Sequence, residues 1–135
     1  MPNITCLTLS SRSLPRSLKF YKTLGFKPGY VSKEVLFFQL NASVLSIYRE
    51  DLFKADLKLR RLGPEGTTLA VNLASKRAVD AFYAKARKAG AKAIRPPHDA
   101  VWGGYTCYFS DPDRHAWEIA WNPFWRLDKK GNARL

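Results

Sequence analysis

The chain is short of the residues that usually make a site conspicuous, with 2 cysteines, 2 histidines and 1 methionine among 135 residues, and 11 acidic side chains against 23 basic ones. So few cysteines exclude a disulfide framework, and Cys6 and Cys107 read as free thiols. No apolar run approaches the roughly 20 residues that cross a bilayer, and the opening Met-Pro-Asn-Ile-Thr-Cys-Leu lacks the basic-then-apolar pattern of a secretory signal. The expectation is a cytoplasmic protein without a membrane partner. Basic blocks are missing too, because Arg12, Lys27, Lys54, Arg77, Lys92 and Lys129 are spread along the chain. Without a basic helix, zinc finger or aromatic RNA-binding signature, a net charge of +12 reads as a solvated surface rather than a nucleic-acid interface. It still raises the local concentration of anionic ligands.

What is present suffices for one packed domain, since 46% of the residues are hydrophobic. Alternation predicts a strand over residues 4–10, with Leu7 and Leu9 on one face and Cys6 and Thr8 on the other. A helix follows: Ser11 or Ser13 caps it, Pro15 suits its first turn, Leu14, Leu18, Tyr21 and Leu24 form its stripe, and Gly25 ends it. Strands over 26–32, 34–40 and 43–49 complete a β-α-β-β-β unit. Residues 50–66 read as a connector with a helical turn or two around Leu52, Leu57, Leu59 and Leu62, closed by the turn-forming Gly63-Pro64-Glu65-Gly66.

The same order then returns. Residues 67–74 predict a strand and 76–89 a helix with Val79, Phe82, Tyr83 and Ala86 in its stripe; Gly90 stops the helix before a strand over 91–95. Pro96-Pro97-His98-Asp99 reads as a loop, Trp102-Gly103-Gly104 as a hinge, and residues 105–110 and 116–121 as a hairpin turned by Asp111-Pro112-Asp113-Arg114. Leu24-Gly25-Phe26-Lys27 anticipates Ala89-Gly90-Ala91-Lys92, so the repeat is one of pattern rather than identity. The aromatic tail around Trp121, Phe124 and Trp125 is expected to pack back on the domain or a partner subunit, with residues 128–132 mobile.

Phe20-Tyr21-Lys22-Thr23-Leu24-Gly25-Phe26, the run from Tyr108 to Ile119 and the repeat together resemble the vicinal oxygen chelate superfamily, which includes glyoxalase I, bleomycin-resistance proteins and extradiol dioxygenases. The resemblance implies an α+β fold of two tandem βαβββ modules forming a cup-shaped mixed β-sheet with helices outside. It implies a single domain over 1–135, with modules over about 1–50 and 67–122, a connector over about 51–66, and a tail over 123–135. Arg114 stands where the family usually has glycine.

Metal-dependent relatives hold a divalent cation on the first strand of each module and on the fourth strand of one or both. The matching positions here are Cys6, Ser46, Thr68 and Glu118. One carboxylate and one thiol make a poor site, so no cofactor is expected; a divalent metal on Glu118 is the alternative. His98, in its loop, and His115, in the hairpin turn, are read as surface histidines, and Cys6 as a small buried hydrophobe. Glu118 is the candidate general base or ligand grip. Cys6, Thr8, Ser46, Tyr48, Thr68, Trp102, Tyr105, Tyr108 and Glu118 are the expected ligand-pocket residues. The resulting expectation is a metal-independent, homodimeric binding protein for a small anionic or aromatic molecule. A divergent glyoxalase-like lyase or a dioxygenase using Glu118 is the alternative.

Overall fold

The computed structural model describes residues 6–58, 60–61 and 68–134. The expected strand start at Ile4, Leu59, Leu62, the Gly63-Pro64-Glu65-Gly66 turn and Thr67 lie outside them. The chain divides into two compact units, Met1–Glu65 and Gly66–Leu135.

In the first unit, β1 (Cys6–Ser11) leads into α1 (Leu14–Thr23), and β2 (Pro28–Val31), β3 (Val35–Gln39) and β4 (Val44–Arg49) follow before α2 (Glu50–Leu57). The sheet order is β1-β4-β3-β2, with β1 and β4 parallel and the other pairs antiparallel. Alternation supplies the core: Leu36, Phe38, Leu45 and Ile47 are buried with Leu14, Phe20, Tyr21 and Leu24 of α1 and its end. Tyr21 meets Phe20, Phe26 and Phe38 with ring centroids 5.1, 5.6 and 5.7 Å away. Burying each large ring contributes about 1.5–3 kcal/mol. Ser13 is the cap, accepting a hydrogen bond from the Arg16 N–H.

The second unit repeats the order in β5 (Leu69–Asn72), α3 (Lys76–Lys88), β6 (Lys92–Asp99), β7 (Tyr105–Ser110) and β8 (Ala116–Trp121), with sheet order β5-β8-β7-β6. Val79 and Ala86 of α3 are buried, as are Cys107, Phe109, Trp117 and Ile119 of the sheet. Both helices stop alike. Gly25 and Gly90 take φ of +98° and +104°, and the next residue returns its N–H to the helix, Phe26 to the Tyr21 carbonyl and Ala91 to the Ala86 carbonyl. The pattern-level repeat therefore has a physical content, the same left-handed stop 65 residues on. The α+β fold of two βαβββ modules is observed unit by unit.

Several expectations need correction. Residues 96–99 are not a loop: β6 runs through Pro96 and Pro97 to Asp99. Proline lacks the ladder's N–H, but β6 is the sheet's edge and its pairing is irregular there, so the prolines are accommodated. His115 is buried rather than on the surface, because Asp111, itself 2% exposed, pulls the turn inward by accepting the backbone N–H groups of Asp113 and His115. The Gly103-Gly104 hinge is a closed turn, Ala100 and Gly104 bonding through their backbones, with the Trp102 ring lying where a Gly104 side chain would be. Residues 128–132 are not a loose end but turn a hairpin, β9 (Arg126–Leu127) against β10 (Ala133–Arg134). There the Asp128 carboxylate accepts from Lys130, Asn132 and Arg134, which holds its carboxyl well below the usual range. Phe124 and Trp125 remain exposed.

Arg114 has φ of 71°, the left-handed conformation that a side chain resists. Arg114→Gly is therefore expected to stabilise the protein by about 1 kcal/mol. The check is a chemical denaturation curve whose midpoint rises at constant slope.

Candidate functional site

Along each sheet the face away from the packed helix carries the polar residues. In the second unit, cross-strand register lines up Ala70 of β5, Glu118 of β8, Tyr108 of β7 and Arg95 of β6. The adjacent row is Asn72, Ala120, Thr106 and His98. Glu118 Oε1 accepts the Tyr108 hydroxyl at 3.0 Å and lies 3.1 Å from the Thr106 hydroxyl, which is equally close to the Ile119 carbonyl. Burial, followed by the bond to Glu118, raises the Tyr108 pKa, so the phenol keeps the proton it donates.

His98 was expected in a loop, yet it stands opposite Thr106 and so on Glu118's face of the sheet. The reason is a count of residues. Between Ala93 and Arg95, β6 spends two residues against one of β7, and between Arg95 and His98 three against two. Each extra residue is a β-bulge, which flips the following side chain to the other face. The signal was the Pro96-Pro97 pair, which marks an edge strand or bulge as readily as a loop.

The other expected site residues are not all brought together. Tyr105 and Tyr108 are an odd number of residues apart and face opposite ways: the Tyr105 hydroxyl donates to Asp80 of α3 at 2.7 Å. Lys76 Nζ lies 5.4 Å from the Tyr105 ring centroid and 5.8 Å from that of Trp121, and pairs with Asp99 at 2.8 Å. Trp102 lies on Gly104. Thr68 precedes β5 and is exposed; the residue beside Glu118 is Ala70.

In the first unit Thr8 stands beside Ser46, and Phe37 and Tyr30 continue that row. Leu45 and Ile47 face the core as expected, and Ser46 between them in the chain is buried on the other face. Tyr48 stacks on Phe53 with ring centroids 5.5 Å apart and donates to Asp56, a bond that raises its pKa. Cys6 is exposed at the start of β1, not buried, with its sulfur 3.9 Å from the Thr8 hydroxyl. It pairs with Val44, one pleat away from Ser46. Among the described residues no three His, Cys, Asp or Glu side chains gather as metal ligands.

This sequence matches the family described as the Glyoxalase/Bleomycin resistance protein/Dioxygenase superfamily over residues 3–119. The chain belongs to that superfamily. Among solved superfamily structures, a glyoxalase-related enzyme from Fulvimarina pelagi is 28% identical, with a TM-score of 0.93 over 100% of this chain and 99% of that one. A glyoxalase/bleomycin resistance protein/dioxygenase from Nocardioides is 26% identical, with a TM-score of 0.74 over 100% and 90%. Lactoylglutathione lyase from Agrobacterium tumefaciens shares the superfamily's fold at 17% identity, with a TM-score of 0.72 over 93% and 98%. No curated protein matches the chain. No described helix is long and apolar enough to cross a membrane.

Two expected outcomes follow from this geometry. Burial pushes the Cys107 thiol up to about 11, whereas Cys6 is exposed, so a thiol reagent should label one site in the native protein and the second only on unfolding. Mass mapping of the labelled peptides checks it. The bond to Asp80 pushes Tyr105 from 10.0 up to about 12. Because the fold favours the protonated phenol, that bond's stabilisation is full below pH 10.0 and is lost as pH rises to about 12. In an ultraviolet titration, Tyr105→Phe should delete a late-titrating phenol.

Proposed function

We propose that this superfamily member is a metal-independent binding protein for a small molecule, held on the sheet face that carries Glu118. The observation that carries the reading is the state of that carboxylate. Its Oε1 is already met by the Tyr108 and Thr106 hydroxyls. The other family ligand positions hold Cys6, Ser46 and Thr68, two of them hydroxyls, which are weak ligands when neutral. This donor set does not fit a divalent cation, and no chemical step is routed through one.

On this reading Glu118 grips a ligand through its second oxygen, which meets no donor among the described residues. The charge of +12 favours an anionic or neutral aromatic ligand and disfavours a cation such as bleomycin. The reading includes a homodimer, which the family likeness favours.

The second reading is a divergent lyase or dioxygenase in which Glu118 still anchors a metal. Its support is that the Fulvimarina pelagi relative is described as a glyoxalase-related enzyme. Elemental analysis after incubation with nickel, zinc, iron or manganese and desalting separates the two. Binding without metal predicts far less than one equivalent in the wild type and no change in Glu118→Ala. One equivalent that disappears in Glu118→Ala sinks the binding reading and establishes the enzyme's metal.

A further inference from the structure

Hydrogen-bond direction on the face around Glu118 narrows the ligand, an inference that rests on the binding reading above. The Tyr108 hydrogen is committed to Glu118, so the phenolic oxygen faces any ligand as an acceptor. Glu118 Oε2 has no partner among the described residues, and a carboxylate only accepts. The His98 ring meets the Pro96 carbonyl through Nδ1 at 2.7 Å. A carbonyl cannot donate, so Nδ1 carries the hydrogen, and in the neutral ring Nε2 is left as an acceptor.

Three acceptors therefore share one face, and at its edge stands a fixed cation, Arg95, opposite Tyr108. Burial and Glu118 raise the phenol's pKa, and the Thr106 hydroxyl and then the Arg95 charge lower it by less. Across the sheet, Asn72 adds an amide that both donates and accepts. The first bulge of β6 turns Arg95 to this face and the second keeps His98 on it, since regular pairing cannot put two residues three apart on one face. Bulges that re-aim side chains in this way are over-represented beside functional sites.

We propose that this face takes a small organic anion carrying hydroxyl groups, its anionic end at Arg95 and its hydroxyl hydrogens donated to Tyr108, Glu118 and His98. Both features are needed. An anion without hydroxyls leaves three acceptors unmet, and a neutral polyol leaves the guanidinium without its partner.

Calorimetric titration of the full chain with three probes tests it: gluconate, which has both features, hexanoate, which has only the anion, and sorbitol, which has only the hydroxyls. Gluconate should bind at least about tenfold more tightly than either, as expected where a charge-assisted hydrogen bond is lost. Arg95→Ala should bring gluconate down to the level of sorbitol. Tyr108→Phe should weaken gluconate and leave hexanoate unchanged, and Lys129→Ala should alter nothing. Arg95 is exposed, so that variant remains informative if Tyr108→Phe misfolds by circular dichroism. Equal binding of all three probes, tighter hexanoate, no gluconate binding at millimolar concentration, or gluconate affinity indifferent to Arg95→Ala overturns the proposal. Tight hexanoate alone would remove the hydroxyl requirement and leave small-molecule binding standing, whereas the metal measurement above tests binding itself.

Discussion

A residue in a strand has a choice of two faces, and pairing with the next strand makes that choice for it. In the second sheet the consequences fall on β6, where Ile94 and the Pro96-Pro97 pair each coincide with one residue more than β7 can match. Had the strand paired without bulges, Arg95 and His98 could not share a face, being three residues apart. With them, both stand over the strand that carries Thr106 and Tyr108. Asp99 meanwhile turns to the helix side and pairs with Lys76, as the alternation beyond His98 requires. An edge strand is the one place where this irregularity is cheap, because its outer backbone groups have no ladder to break.

The features legible in the sequence were those whose cause lies within a few residues. Ser13 caps α1 from one turn away, and Gly25 and Gly90 end their helices because a left-handed residue is needed at those spots. The alternation of Leu45 and Ile47 with Ser46 needs only the period of a strand. The features that escaped depend on partners remote in the chain. His98 acquires its face from pairing with Thr106, across a turn, and the prolines before it pointed equally to a loop. His115 is buried by the Asp111 turn, and residues 128–132 are ordered by Asp128 hydrogen bonds that composition does not reveal. Tyr105 and Tyr108 looked like companions in a list of aromatics, although their odd spacing already separated them.

The Glu118 carboxylate links packing to chemistry. Hydrogen bonds to a charged group are worth about 1.5–3 kcal/mol each, so Tyr108 and Thr106 hold the side chain against the sheet rather than leaving it to search for a ligand. A cation arriving at Oε1 would have to displace those donors and find its remaining ligands among hydroxyls. On the proposed reading, a ligand hydroxyl at Oε2 would displace no donor among the described residues. On that reading, the same hydrogen bonds that count against a metal leave the carboxylate a well-oriented acceptor, and orientation in advance of binding reduces the entropy a ligand would lose.

The two units also show how one backbone plan carries unlike chemistry. Each has its first strand parallel to its fourth and a helix covering one face, and in each the large buried apolar residues lie on that helix side, while Ser46, Thr106 and Ala120 are buried on the other. The row Ala70, Glu118, Tyr108, Arg95 has its counterpart in Thr8, Ser46, Phe37, Tyr30, where the last two are an exposed aromatic pair with ring centroids 5.7 Å apart. Stability resides on the helix side, in Leu45, Ile47, Phe109 and Ile119, which tolerate little change. The opposite face carries shorter and more polar side chains, Ser46, Thr106 and Glu118 among them. A relative keeps a TM-score of 0.93 at 28% identity, so the fold persists through extensive change of sequence, and chemistry has to be read from the row rather than from the fold.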